Sequence, residues 1–241
     1  MKVKLTNIPA MVFLIVITSI ITGLQFIYPE VLSALRRHPG ALSTGEWWYL
    51  ITPLFVHSDG WPQFLFNMAS LAFFGITVEP LFGSSRFLVL YFVSGLTGQA
   101  AGYAWSPEGA GNSVAVCGLI GSLLVLLLIR NRYVKPFTSL FILYYITSLI
   151  GQAFNSYVLF AVLILLIIGA QTFLLRQKDR MKWWGPFVGI ASLLGAIVMT
   201  LLHNNHGLAI LAGICVTLLM LLDPKLITRL TNLSDSRVLN R

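Results

Sequence analysis

The chain has 241 residues, of which 57% are hydrophobic and only 10% charged, with a formal net charge of +8 at pH 7. The apolar residues fall in runs of about 20 rather than at amphipathic spacing, which argues against a soluble globular domain and for a polytopic membrane protein. The excess of Lys and Arg lies in short segments between those runs, so it reads as a topology signal and an attraction to the lipid bilayer, and gives no support to a nucleic-acid partner.

Taken in chain order, the runs predict helical spans over 9–28, 62–79, 87–106, 113–129, 135–153, 156–175, 184–202 and 206–222. Each is long enough to cross about 30 Å of hydrocarbon. The first run follows Met1-Lys2-Val3-Lys4, is long for a signal peptide and lacks a small-x-small cleavage site, so it is expected to be retained as a helix. Cys117 and Cys215 lie inside apolar runs, where packing as small hydrophobes is a simpler expectation than a disulfide. Trp183 and Trp184 beside Lys182 read as an interfacial belt.

Basic residues orient the spans, because Lys and Arg near short loops accumulate on the cytoplasmic side. With the N-terminus inside, Lys2, Lys4, Arg86, Arg130, Arg132, Lys135, Arg176, Lys178, Arg180, Lys182, Lys225, Arg229, Arg237 and Arg241 are all cytoplasmic, 14 of 16, and only Arg36 and Arg37 lie outside. Eight crossings return the C-terminus to the cytoplasm. In that topology Gln63 and Asn67 open the second span, Ser113 opens the fourth and His206 opens the last. Three spans that run from outside to inside therefore carry these four polar groups at one depth near the outer face. Such groups are costly in hydrocarbon and mark a functional site. Gln63 and Asn67, one helical turn apart, share a face.

The segment Trp48-Tyr49-Leu50-Ile51-Thr52, then Phe55-Val56-His57, Gln63-x-x-x-Asn67-Met68, Gly75-x-x-x-Glu79-x-x-x-Gly83-x-x-Arg86-Phe87, Gly111-x-Ser113 and His206 followed by small residues resembles the rhomboid intramembrane serine proteases. The resemblance covers about 46–122 and 184–222 and implies an all-α, polytopic, rhomboid-like bundle. Two registers place the nucleophile. Aligning Cys117-Gly118 with the family's Ser-Gly pair puts the run Gly118-Leu119-Ile120-Gly121-Ser122 out of step with the family's small-residue helix, whereas aligning Gly111-Asn112-Ser113 keeps it in step without a gap.

The resemblance then implies roles. Ser113 attacks the scissile carbonyl of a transmembrane protein substrate, and His206 serves as general base and then general acid, as a dyad without an acidic third member. Gln63 and Asn67 donate to the oxyanion, helped by free N–H groups where the loop Pro107-Glu108-Gly109-Ala110-Gly111 meets the helix. His203 is the rival base, and His206 is preferred because Ala209 and Gly213 follow it at the positions of the family's small residues. Glu79, Gly83 and Arg86 are expected to hold the turn between the second and third spans. Gly95, Gly98, Gly102, Gly118 and Gly121 are expected to allow close helix packing. His57 and Asp59 read as caps of the second span. No cofactor or metal site is expected, since the histidines lack ligand partners at workable spacing.

The chain departs from the family pattern at several positions. Val114 stands where the family has Gly after the nucleophile and is expected to crowd the helix contact. Gln63 stands for a His, Tyr49 for the loop Arg, and Ala209 for the small residue after the base. Ser113 and His206 are 93 residues apart, so 135–175 reads as a helical hairpin inserted into a six-helix core. The expected organisation is a transmembrane domain over 1–222, with core 46–129 and 184–222, and a cytoplasmic basic tail over 223–241, in a bacterial-type plasma membrane. The alternatives are a catalytically inactive rhomboid-like protein that binds transmembrane helices, favoured by Val114 and Gln63, and a transporter, against which the lack of intramembrane carboxylates argues.

Overall fold

The computed structural model describes residues 8–129, 133–175 and 182–238. Lys2, Lys4, Arg130, Arg132, Arg176, Lys178, Arg180 and Arg241, which carry part of the orientation argument, lie outside them. The described residues form helices α1 (Pro9–Ile27), α2 (Glu30–Leu35), α3 (Gly60–Phe82), α4 (Ser84–Trp105), α5 (Ser113–Ile129), α6 (Pro136–Ala153), α7 (Tyr157–Leu175), α8 (Trp184–Leu201), α9 (Asn205–Met220) and α10 (Pro224–Val238), with two single-turn 3₁₀ segments at Trp47–Leu50 and Thr52–Phe55. Eight of these helices match the eight expected runs within a few residues. Not all are free-standing spans, however. By length and apolarity alone α1, α3, α4 and α8 could each cross a membrane; α9 does so only together with α10, from which it is bent by 97°, and α5 and α7 are shorter apolar helices. The shortness of α5 has a physical reason: it is enclosed by other helices, with its residues from Val114 to Leu127 buried, so protein rather than lipid surrounds its length.

Helix α5 is the axis of the bundle, and α9 lies against it at backbone contact. A Cβ placed on Gly121 would sit 2.3 Å from the Ile210 carbonyl oxygen, and one on Gly213 would sit 2.3 Å from the Gly118 carbonyl oxygen. On its other side α5 meets α4, where a Cβ on Gly118 would fall 2.2 Å from Ser94. In a membrane there is no hydrophobic drive between helices, so dispersion attraction at close approach must supply the adhesion.

At the turn between α3 and α4, Glu79 and Arg86 do not pair with each other; Arg86 donates to the Phe82 carbonyl at 3.4 Å. The buried Glu79 carboxylate instead accepts the N–H groups of Ala10 at 2.9 Å and Met11 at 2.8 Å, and the Ser84 hydroxyl at 2.7 Å. It thus caps α1 from a neighbouring helix, a charge favoured by the free N–H groups and positive dipole end it meets. Gly83, at φ +83°, turns the chain. Arg86 pairs with Asp223 at the start of α10, and the Asp223 carboxyl is held below its ordinary pKa by the Lys225 backbone N–H and by Arg86. The described part of the 223–241 segment, residues 223–238, is therefore no free tail: α10 buries Leu226 and Leu230, and Arg229 donates to the Pro80 carbonyl at 3.0 Å.

The 135–175 hairpin also divides differently from the expectation. Its first helix, α6, is built into the bundle, burying Ile142, Tyr145, Ile146 and Leu149 and stacking Tyr145 on Phe66 of α3 at 5.3 Å. Ile146 lies where a Cβ on Gly195 of α8 would be, 2.8 Å away. Helix α7 packs on α6 through Phe160 against Gly151. Trp184 is likewise no belt residue: it is buried and donates to the Ser139 hydroxyl at 2.8 Å, while Trp183 is exposed.

The α5–α9 seam yields a matched test. Gly121→Ala forces a methyl onto a carbonyl of α9 and is expected to lower the thermal midpoint in detergent by several degrees, on the order of 2 kcal/mol. Gly23→Ala, in α1 with nothing within 4 Å of the added carbon, is expected to leave it unchanged or raise it.

Candidate active site

The residues that open α3, α5 and α9 converge at one end of the bundle. The Ser113 hydroxyl oxygen lies 2.8 Å from Nε2 of His206, within hydrogen-bond distance. Both sit in the first turn of their helices, and the glycine-mediated seam two turns further along sets the distance between them. Val114 does not displace the pair. Its buried side chain turns toward α4, where a Cβ on Gly98 would lie 2.6 Å from it, so Gly98 supplies the space that Val114 takes. His203 is not near Ser113 by any contact: it lies exposed in the α8–α9 turn at φ +56°, its ring 5.4 Å from Trp105.

The loop that delivers Ser113 is tied down at successive backbone groups. The Gly111 N–H donates to the Pro53 carbonyl at 2.8 Å, the Ala110 carbonyl accepts the Gln63 amide at 3.0 Å, and the Gly111 carbonyl accepts the Gln99 amide at 3.4 Å. Gly111 is at φ +143°, and a Cβ there would lie 2.7 Å from Nε2 of Gln63 and 3.5 Å from Nδ2 of Asn67. The two amides thus face the backbone two residues before Ser113. They differ in availability. Gln63 is engaged at both ends, since its carbonyl also accepts the Asp59 N–H at 3.0 Å. Nδ2 of Asn67 is buried and, among the described residues, has no acceptor. An amide donor left unpaired in a dry site costs free energy unless something else accepts from it.

Three residues to which sequence reasoning assigned no part in the site, His57, Arg37 and Asn204, complete the surroundings. His57 is fully buried and caps nothing: its Nδ1 is 3.0 Å from the Thr22 hydroxyl of α1 and its Nε2 3.3 Å from Oδ1 of Asn112, whose amide donates to the Tyr91 hydroxyl at 3.1 Å. Gln25 of α1 brackets His57, accepting its N–H at 2.8 Å and donating to its carbonyl at 2.7 Å. Asn112 directly precedes Ser113, so this network locates the start of α5 relative to α1 and α4. Its only signal in the sequence was the position of His57 within the resembling segment. Arg37 is buried and donates to Gln99 and to the Ser106 and Glu108 carbonyls at 2.9 and 3.3 Å. Its signal was being one of two basic residues apart from the other fourteen. Asn204, just before α9, accepts from the His206 backbone at 3.0 Å; an Asn preceding a helical run is a capping signature.

The fold and the site together define an integral, multi-pass helical membrane protein with polar side chains gathered at one end of its bundle. The Rhomboid domain model matches residues 44–192, and the chain belongs to the rhomboid family. That match runs through α6 and α7 and ends inside α8, so it takes in Gln63, Asn67 and Ser113 but not His206, whose placement comes from the structure. The chain is 39% identical over 92 residues to the rhomboid protease GluP of Bacillus subtilis (strain 168), covering 38% of this chain and 18% of that protein. It is 38% identical over 96 residues to YdcA of the same organism, covering 39% and 48%. A third relative, at 31% over 127 residues, covering 48% and 36%, is named inactive RHOMBOID-like protein 8 of Arabidopsis thaliana. The chain therefore matches less than half the length of these relatives.

Burial pulls the His57 imidazole down from 6.5 to about 4 against an opposing hydrogen bond from Asn112. As pH falls below about 6.5 the unfolded chain takes up this proton first, and the folded state resists it until about 4, so the contribution to stability is full above 6.5 and lost progressively toward 4. Thermal midpoints measured across that window are expected to fall in the parent, and to fall less steeply in His57→Gln, which is less stable than the parent at pH 7.5.

Proposed function

We propose that the chain is an intramembrane serine endopeptidase that hydrolyses peptide bonds in or near transmembrane segments of other membrane proteins. The reading is carried by one observation: a serine hydroxyl 2.8 Å from an imidazole nitrogen, at the end of the bundle that also holds a buried amide which, among the described residues, has no acceptor. His206 takes the Ser113 proton as the oxygen attacks the scissile carbonyl, and later gives it to the leaving amine; water then cleaves the acyl-enzyme by the same path in reverse. The tetrahedral oxyanion is the acceptor that Asn67 lacks. The N–H of Ser113, which opens α5 and has no acceptor among the described residues, is a second donor, and Gln63 is a third only on releasing the Ala110 carbonyl. Similarity to GluP, named a rhomboid protease, supports this reading.

In this proposal both termini are cytoplasmic, the site opens toward the outer face of a bacterial-type plasma membrane, and 1–222 forms one transmembrane domain with the inner-face segment 223–241. A second reading, an inactive binder of transmembrane helices, is favoured by the occupied amide of Gln63 and by the relative named inactive.

A fluorophosphonate probe decides between them on the purified, detergent-solubilised chain. Labelling at Ser113 is expected in the parent and is expected to vanish in Ser113→Ala and drop at least about 10³-fold in His206→Ala. Asn67→Ala is expected to slow turnover of a reconstituted transmembrane substrate by about 10²- to 10³-fold, and Gln63→Ala by less. A parent that never labels would leave the inactive reading standing.

A further inference from the structure

We infer that Asn204 is a positioning residue for His206: its side-chain oxygen fixes which imidazole nitrogen carries the proton, and thereby leaves the other free to accept from Ser113. The inference rests on the reading of Ser113 and His206 just given, and supplies the orienting third group that the sequence did not reveal.

The N–H of His206 is 3.0 Å from Oδ1 of Asn204 and is an obligatory donor, so the Asn204 atom it faces must be the acceptor oxygen and not the amide nitrogen. The backbone therefore settles the amide orientation without reference to the ring. The same Oδ1 lies 2.9 Å from Nδ1 of His206. A carboxamide oxygen only accepts, and its two lone pairs serve the two donors, so Nδ1 bears the hydrogen. A neutral imidazole has one N–H, and Nε2 is consequently bare, facing the Ser113 hydroxyl at 2.8 Å. The opposite tautomer would set Nε2–H against the hydroxyl and leave Nδ1 and Oδ1, two acceptors, in contact.

Asn204 is itself held. Its backbone N–H donates to the Met199 carbonyl at 2.9 Å, and its carbonyl accepts the Gly207 N–H at 3.1 Å, while His203 at φ +56° turns the chain out of α8. On the far side of this turn, Gly207 lies against the α8 backbone, where a Cβ would be 2.5 Å from the Ala196 carbonyl oxygen. Asn204 thus occupies a fixed point between α8 and α9, and one side chain both caps α9 and orients the ring.

Capping and orienting are separable. Asn204→Ser keeps a capping hydroxyl but puts a group that both donates and accepts beside the ring; Asn204→Asp keeps an acceptor-only oxygen for both bonds; Asn204→Ala removes both. The fluorophosphonate labelling rate of Ser113 is expected to fall about 10- to 100-fold in the Ala and Ser variants, with Ser keeping the parent's thermal midpoint, and to be restored in Asp. In parallel, ¹⁵N spectra of histidine-labelled protein, with the His206 signals assigned by their loss in His206→Ala, are expected to show Nδ1–H in the parent and a mixture of tautomers in Asn204→Ala. Labelling in Ala and Ser within twofold of the parent, or an Nε2–H signal for His206 in the parent, overturns the inference. If the parent fails to label at Ser113 while the Nδ1–H signal is present and disappears with Asn204→Ala, the protease reading fails and the orienting role stands.

Discussion

Everything at the site end depends on two helices meeting without side chains between them. Gly121 and Gly213 let α5 and α9 touch at their backbones, and the first-turn residues Ser113 and His206 are within a hydrogen bond of each other because their helices are. The same constraint explains the neighbours. Val114, the residue expected to break the contact, is accommodated by a missing side chain at Gly98 on the third helix of the seam, so the volume added at one position is matched by volume withdrawn at another.

A second constraint governs the loop before Ser113. Polypeptide outside a helix cannot leave its carbonyls and N–H groups unpaired at membrane depth, and between Ser106 and Gly111 the carbonyls of residues 106, 108, 109, 110 and 111 are taken by Arg37, Gln63 and Gln99. Donors from three parts of the chain therefore act as the missing ladder. The loop is held where a nucleophile must be placed, and the groups that hold it are amides and a guanidinium rather than apolar packing. Against this background two buried nitrogen donors have no acceptor among the described residues, Nε of Arg37 and the amide of Asn67, and of the two it is the Asn67 amide that faces the backbone before Ser113.

The helices were legible in the sequence because span length is set by the bilayer, and Gln63, Asn67, Ser113 and His206 were expected at one end of the bundle because helix direction alternates from one span to the next. Legibility ended where contacts cross between spans. Nothing in the run 135–153 distinguishes a helix packed on Phe66 from one facing lipid, since both faces are apolar in either case. Glu79 was recognisable as structural, but its partner at the start of α1, Ala10, lies 69 residues earlier and has no signature of its own. His57 and Arg37 were visible as residues and opaque as contacts.

The sequence by itself therefore determined the class and the number and approximate bounds of the long helices, and it set the expectation that four polar groups share one depth, all of which follow from hydropathy and parity along one dimension. Only the tertiary structure decided which histidine faces the serine, that Val114 is tolerated, that α6 and α10 join the bundle, and that Asn204 faces the imidazole. Those outcomes turn on distances of a few ångströms between helices: the spacing marked Gly118, Gly121 and Gly213 as packing positions but carried no trace of which backbone or side-chain atom each would meet.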